Sequence, residues 1–392
     1  MSKIKDTKLA FYGMQRYRWA LDHMPVLSSI IQSTRSKPLS GLRIGFCLQL
    51  TAETAALILG AKMLGAKVSA SSGNPLTTDD AVAAYLDSMG INVYGWSGQT
   101  VAEFAKCADA VMYDLPDILS DDGAELSVRA HTDDRFSRMN ILGGTEETTT
   151  GVHRILALQS ISKIRYPIIA VNDADTKRMF DNRYGTGQSV IDGLLRATGL
   201  LLASKIAVVS GYGWVGRGVA ERLCAMGSHV IVTEVDPTRA LQAHMDGYEV
   251  MPMAKAVQKG QIFVTCTGNS KVITAEHMCK MHTGAILANA GHFDVEIDVA
   301  SLGRGHLVRP GLQEHKICGK KIYIVSHGRV VNLVAAEGHP PEIMDLSFSN
   351  HLLCIMYLCN TKMPNLIHKV PNNIDEYVAC SALHAARIQI DK

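Results

Sequence analysis

The segment KIAVVSGYGWVG, residues 205–216, decides the fold. KIAVVS is an apolar, β-branched run of the kind a fully buried strand needs. It leads into Gly211, Gly213 and Gly216, and a helix-length stretch follows. GxGxxG alone is a weak signal, but between a strand and a helix it is a dinucleotide fingerprint. The first glycine permits the tight turn. The second lets the backbone approach a pyrophosphate, and the third lets helix and strand pack closely. Val215 completes the loop, where the helix N-terminus offers unpaired N–H groups to an anion. The next apolar run, HVIVTE, ends on Glu234, about twenty residues further on. A carboxylate there accepts hydrogen bonds from a ribose diol and repels a 2′-phosphate. NAD is therefore expected rather than NADP, with nearby Arg239 softening the preference. The plain alternative is a glycine turn in an empty Rossmann-like domain.

Working outward, strands are expected at 41–48, 66–71, 92–94 and 166–171, with helices at 51–64 and 79–89. The apolar run 108–113 joins the strands. A second series follows, with helices 189–203 and 216–225 and strands at 205–210, 229–234, 262–265, 285–288 and 322–326. After two prolines at 340 and 341, one helix (347–359) and a polar tail are expected. This alternation predicts an α/β chain with two doubly wound parallel sheets in tandem.

Of the 392 residues, 47% are hydrophobic and 19% charged, enough for a large core. Lys+Arg is 39 and Asp+Glu is 37, a net charge of +2. That balance gives no reason to expect nucleic acid or an acidic membrane as partner. No stretch approaches the roughly 20 apolar residues of a membrane span, and the N-terminus has no signal core. The nine cysteines are odd in number and form no CxxC, so reduced thiols are expected, with neither a disulfide framework nor a metal site. A soluble cytoplasmic protein is expected.

Longer motifs carry a resemblance. VNDADTKRMFDNRYG, GYGWVGRG, EVDPTRALQAHMDGYEV, FVTCTGN, NAGHFDVEID and HGRVVNL lie in one half. CLQLTAETAALI, SSGNPLTTDDA, DDGAEL and GGTEETTTGVHR lie in the other. In this order they closely resemble the S-adenosylhomocysteine hydrolase family, over nearly the whole chain. The resemblance implies a substrate domain split in sequence (1–183 and 340–392), an inserted Rossmann NAD domain (184–339), and a cleft between them. It also implies a homodimer or homotetramer. The implied chemistry oxidises the 3′-hydroxyl of an adenine nucleoside, removes the C4′ proton and expels the 5′ substituent. Water then adds and the hydride returns from internally recycled NAD.

Site residues carry over one by one. Lys177 and Asp181 match the pair that handles the 3′-hydroxyl, with Lys177 as general base. Glu147 matches the residue that binds the ribose hydroxyls. Asp122 matches the carboxylate near C4′ and C5′, and His292 the histidine beside the ribose. Asn182, Thr148, Thr149 and Thr150 match contacts on the nicotinamide side. Thr267, Asn289 and Asn332 match further cofactor contacts. Thr51, Glu53, His339 and Met344 match the adenine pocket. Without the resemblance, Asp122 reads as a turn carboxylate, the threonine run as a helix cap, and Lys177 with Asp181 as a helix-surface ion pair.

The sequence also departs from the pattern. Gln49 stands where the family has a histidine for proton transfer at the 5′ position; glutamine hydrogen-bonds but does not titrate. Thr186 replaces a cysteine, Trp214 an aspartate and Glu337 a methionine. The family's tail beyond residue 392, which reaches a neighbouring subunit's NAD, has no counterpart in this sequence. Three readings follow: hydrolysis of S-adenosylhomocysteine, a dehydratase that stops at the 4′,5′-unsaturated nucleoside, and an inactive NAD-binding regulator. The five intact groups Lys177, Asp181, Glu147, Asp122 and His292 argue against the last.

Overall fold

In the computed structural model, which describes residues 2–75 and 77–391, the apolar run before the glycine loop is the strand Ile206–Ser210. Its residues 207–210 are all buried, which is why the run shows no alternation. The chain forms two units. One comprises Met1–Arg178 with Pro341–Lys392, and the other Met179–Pro340. The junctions thus fall at 178 and 340, against the expected 183 and 339.

Among the described residues, the first unit contributes β1 (Arg43–Leu48), β2 (Lys67–Ser72), β3 (Asn92–Tyr94), β4 (Ile118–Asp121), β5 (Gly143–Glu146) and β6 (Ile168–Ala170). The second contributes β7 (Ile206–Ser210), β8 (His229–Thr233), β9 (Glu249–Val250), β10 (Ile262–Thr265), β11 (Ala285–Asn289), β12 (His306–Arg309), β13 (Leu312–Ile317) and β14 (Lys320–Val325). Finally β15 (Ile367–Lys369) returns to the first sheet. The sheet orders are β15-β6-β5-β4-β1-β2-β3 and β12-β13-β14-β11-β10-β7-β8-β9. The first sheet is parallel throughout. In the second, β12 and β13 add an antiparallel edge.

Both sheets share one logic. Chain order reverses between β1 and β4 in the first unit and between β7 and β10 in the second. In doubly wound sheets, ligands bind beyond the carboxyl ends of the strands at such a switch point. Each unit has its own core: Phe46, Leu57 and Leu352 are fully buried in the first, Val209, Val232 and Val264 in the second.

Four expectations are corrected. Residues 108–113 end the helix Val101–Tyr113, which a Thr100–Glu103 capping box starts; the strand comes later, as β4. A short apolar run does not separate buried strand from buried helix face. The supposed polar tail holds β15 and the helix Asn372–Ala385. The second sheet is not wholly parallel, because β13 and β14 form a hairpin through Cys318 and Gly319, both at positive φ (48° and 72°). Finally, Cys279 and Cys318 are joined as a disulfide across 39 residues, while the other seven cysteines are free. The hairpin tip brings Cys318 to the end of the helix Ala275–Lys280, a closeness that sequence spacing does not show. Among the described residues no helix is long and apolar enough to cross a membrane.

Candidate functional site

At the switch point of the second unit, Gly211 has φ +96°, a conformation that suits glycine. A Cβ on Gly216 would sit 1.9 Å from the Gly211 carbonyl oxygen, so only glycine lets the helix Trp214–Ala225 close on the strand. At Gly213 the nearest atom to such a Cβ is Arg239 Nη1 at 3.9 Å, so this side of the loop is open. No side chain caps the helix at Gly213, which leaves its first N–H groups for an anion. Outside the loop, the Arg217 guanidinium lies 4.9 Å from the Trp214 ring and 5.6 Å from the Tyr212 ring. Trp214 therefore braces the loop through a cation–π contact.

Glu234 follows β8 and accepts hydrogen bonds from the backbone N–H groups of Tyr212 (2.6 Å), Val235 (2.7 Å) and Asp236 (3.0 Å). Those donors hold it as an oriented carboxylate beside the loop. Arg239 is exposed on the following helix. Across the switch point, Thr267 and Gly268 donate to Glu296, a residue the sequence reading did not single out. Burial pushes the Glu296 carboxyl up, and the loop N–H groups pull the other way. The Asn289 amide bonds the carbonyls of Phe293 (2.8 Å) and Gly328 (3.0 Å), so it ties loops together rather than facing outward.

His339 is engaged on both ring nitrogens. Nδ1 is 2.9 Å from Asp181 Oδ1; Nε2 is 3.1 Å from Thr186 Oγ1 and 3.1 Å from Asn332 Nδ2. The structure thus places His339 with Asp181 and Thr186, where the resemblance assigned it to the adenine pocket. Asn332 Oδ1 is buried with no hydrogen-bond partner among the described residues. Asn182 shares the turn Asp181–Gly185, and the His292 ring packs 4.8 Å from that of Phe293. The glycine cradle, the fixed Glu234 and the orphaned Asn332 oxygen fit a nicotinamide dinucleotide.

In the first unit the polar groups follow three neighbouring strands. Gln49 comes just after β1, Asp122 after β4 and Glu147 after β5. Gln49 Nε2 donates to Asp122 Oδ2 at 2.9 Å, and the Thr77 hydroxyl donates to Gln49 Oε1. This fixes the amide with its nitrogen toward the carboxylate. Glu147 Oε1 lies 3.3 Å from Lys177 Nζ, and both residues are buried. Lys177 sits in the short helix Asp175–Arg178, whose first N–H groups donate to Asp375. Asp375 belongs to the segment read as a tail, and no sequence signal linked it to Lys177.

A second pair of carboxylates lies just behind. Asp121 and Glu146 are paired neighbours in β4 and β5 and are fully buried. Strand alternation turns them to the opposite face from Asp122 and Glu147. Asp121 accepts from Leu126 and Ser127 N–H, and Glu146 from Gly123, Ala124 and Thr148 N–H. They fix the loops carrying the site. Burial raises the Asp121 carboxyl to about 6 and lifts Glu146 well above its usual range. Thr148 caps the helix Thr149–Ser160; Thr149 is exposed and Thr150 half-buried. Thr51 caps the helix Ala52–Met63, in whose first turn Glu53 lies. Half-buried Met344 packs against the core.

Comparison with known proteins gives the assignment. Residues 1–141 match the family described as "S-adenosyl-L-homocysteine hydrolase", and residues 182–338 match its "NAD binding domain". "Adenosylhomocysteinase" of Sulfurisphaera tokodaii is 50% identical over 397 residues, covering 99% of this chain and 95% of that protein. The chain belongs to the S-adenosyl-L-homocysteine hydrolase family. It is an NAD-dependent enzyme of that family. "S-inosyl-L-homocysteine hydrolase" of Methanosarcina acetivorans is 47% identical, covering 99% of this chain and 96% of that protein. In fold alone, the chain resembles a dipicolinate synthase polypeptide of Bacillus halodurans, with a TM-score of 0.52 and 14% identity over 82% of this chain and 99% of that one.

Proposed function

We propose that the protein oxidises the 3′-hydroxyl of an adenine nucleoside, removes the C4′ proton and eliminates the 5′ substituent, with S-adenosylhomocysteine hydrolysis as the net reaction. The observation that carries this reading is the buried Lys177–Glu147 pair beside Asp122, at the ends of adjacent strands. The Gly211–Gly216 loop and Glu234 would hold NAD, which would supply the hydride acceptor and donor. Lys177, as the neutral amine, takes the 3′-hydroxyl proton; general-base catalysis of this kind is worth roughly 10²–10⁴-fold. Glu147 accepts hydrogen bonds from the ribose. Once C3′ is a ketone the C4′ proton is acidic, and Asp122 removes it. The C5′ bond then breaks, its electron pair leaving with the 5′ group as C4′=C5′ forms. A homodimer or homotetramer working in the cytoplasm completes the reading.

The Gln49–Asp122 bond favours a second outcome. Gln49 is locked as a donor to Asp122 and carries no proton to give or take. A thiolate leaves without an acid, since thiols titrate near roughly 8.5, but adding water needs a base. Asp122 alone must serve, so the 4′,5′-unsaturated nucleoside accumulates or becomes the product. The experiment is product analysis by mass spectrometry with S-adenosylhomocysteine, its inosine analogue, and adenine nucleosides bearing a 5′-hydroxyl. Adenosine and homocysteine without alkene support the hydrolase. Alkene with loss of water supports the dehydratase. A marked preference for the inosine analogue overturns the adenine assignment, and no product from any of them overturns the reading.

A further inference from the structure

Behind Glu147 stands a histidine that the mechanism has not used. His351 lies on the helix Pro341–Asn360 and is fully buried. Its Nε2 is 2.6 Å from Glu147 Oε2. Its Nδ1 is 3.0 Å from Thr145 Oγ1 and 3.3 Å from Ser120 Oγ. Thr145 in turn donates to Ser120 at 3.0 Å. The arrangement follows from strand alternation. Ser120 shares a face of its strand with Asp122, and Thr145 shares one with Glu147. Ser120 and Thr145 are register partners, so one imidazole spans both hydroxyls and still reaches the carboxylate.

We propose that His351 is a positioning residue for ribose recognition: it donates through Nε2 to one oxygen of Glu147 and so holds the carboxylate for the substrate hydroxyl. The inference rests on the ribose-binding role of Glu147 proposed above. Glu147 has two competing partners, Lys177 on Oε1 and His351 on Oε2. Without His351 the carboxylate is free to turn fully onto Lys177. That tightens the ion pair, holds Lys177 in its ammonium form and withdraws Glu147 from the sugar. The hydroxyl pair makes the arrangement robust. A hydroxyl donates or accepts, so the imidazole keeps its N–H on Glu147 while Nδ1 accepts from the threonine or serine. The charged groups facing His351 are Glu147 and, beyond it, Lys177; from the strands it meets Ser120 and Thr145, and on its own helix the Phe348 ring at 6.2 Å.

The test is a comparison of variants on two substrates. The rate at which reduced dinucleotide appears is measured with adenosine and with 2′-deoxyadenosine, for the parent, His351→Leu, His351→Gln, His351→Asn and Glu147→Gln. His351→Leu is expected to lose about 10- to 100-fold on adenosine, the range for a hydrogen bond to a charged group. On 2′-deoxyadenosine, which lacks one hydroxyl for Glu147 to grip, the further loss is expected to be several-fold smaller. A glutamine side chain at this position extends its amide nitrogen to where Nε2 stands, so His351→Gln recovers most of the rate; the shorter asparagine does not. If His351→Leu fails to fold, the His351→Gln and His351→Asn variants decide the matter alone. Equal losses on both substrates, or His351→Gln no better than His351→Asn, overturn the proposal. If Glu147→Gln still discriminates between the two substrates as strongly as the parent does, the role of Glu147 falls, and that outcome is distinct from the failure of His351.

Discussion

The two switch points have the same strand order and opposite chemistry. At the one in the second unit, the first strand-to-helix turn is Gly211–Gly216, with glycine at every position where the main chain turns or packs closely. No side chain caps the helix that follows, and the nearest atom to a Cβ at Gly213 is Arg239 Nη1, at 3.9 Å. At the one in the first unit, the equivalent turn carries Gln49, and its neighbour carries Asp122; their side chains bond each other across the gap at 2.9 Å. One turn is shaped for a diphosphate that must come close to the main chain. The other is furnished with polar side chains that hydrogen-bond one another. The topology selects the place, and the residues in the first turn select what happens there.

The largest expected effect breaks the glycine side of this comparison. Gly216→Val should abolish dinucleotide binding, because a Cβ there meets the Gly211 carbonyl at 1.9 Å. Isothermal titration with NAD measures it. Binding at the parent's affinity would mean the turn is not the cradle. A smaller effect sharpens the side-chain half. Asp375→Ala removes the acceptor for the N–H groups of Asp175 and Thr176, a cap worth about 0.5–2 kcal/mol. The variant should bind NAD normally yet form reduced dinucleotide several-fold more slowly, since the Lys177 turn loses its anchor. An unchanged rate would show that Lys177 is held without it.

The smallest effect concerns a carboxyl of the first unit. Asp345 accepts from the Val26 and Leu27 N–H groups, and burial raises its carboxyl to about 6. An unfolded aspartate titrates near roughly 3.9. Between these values the folded state binds more protons than the unfolded, so stability from this group falls as pH rises through the window. Asp345→Asn should therefore flatten the decline of Tm between about pH 4 and 6, on a lower curve, because the amide accepts from only one of the two donors. Parallel Tm curves for parent and variant would remove Asp345 as the cause.

The same contrast explains what was readable in the sequence. The glycine turn is local: twelve consecutive residues, 205–216, contain the strand, the loop and the helix start. Gln49, Asp122, Glu147 and Lys177 stand out only because whole motifs resemble a family; their residue types alone fit a turn carboxylate or a surface ion pair equally well. Their supports were not legible. Asp121 and Glu146 sit one residue before the groups they steady, on the other strand face. Asp375 and His351 come from more than a hundred residues away, one in a stretch that reads as a polar tail and the other in a helix that reads as apolar. The antiparallel β13, LQEHKI, has no apolar run because it lies near the sheet edge.

The central claim is that the second unit holds NAD while Lys177 of the first starts the chemistry. Its most direct test is rapid mixing of NAD-loaded protein with adenosine, following reduced dinucleotide by absorbance, in the parent, Lys177→Ala and Asp122→Asn. Lys177→Ala should still carry NAD, released on denaturation, but form reduced dinucleotide roughly 10²–10⁴-fold more slowly. Asp122→Asn should still form reduced dinucleotide and stop there, releasing no 5′ group from S-adenosylhomocysteine. Reduced dinucleotide appearing in Lys177→Ala at the parent's rate, or lost equally in both variants, would contradict it.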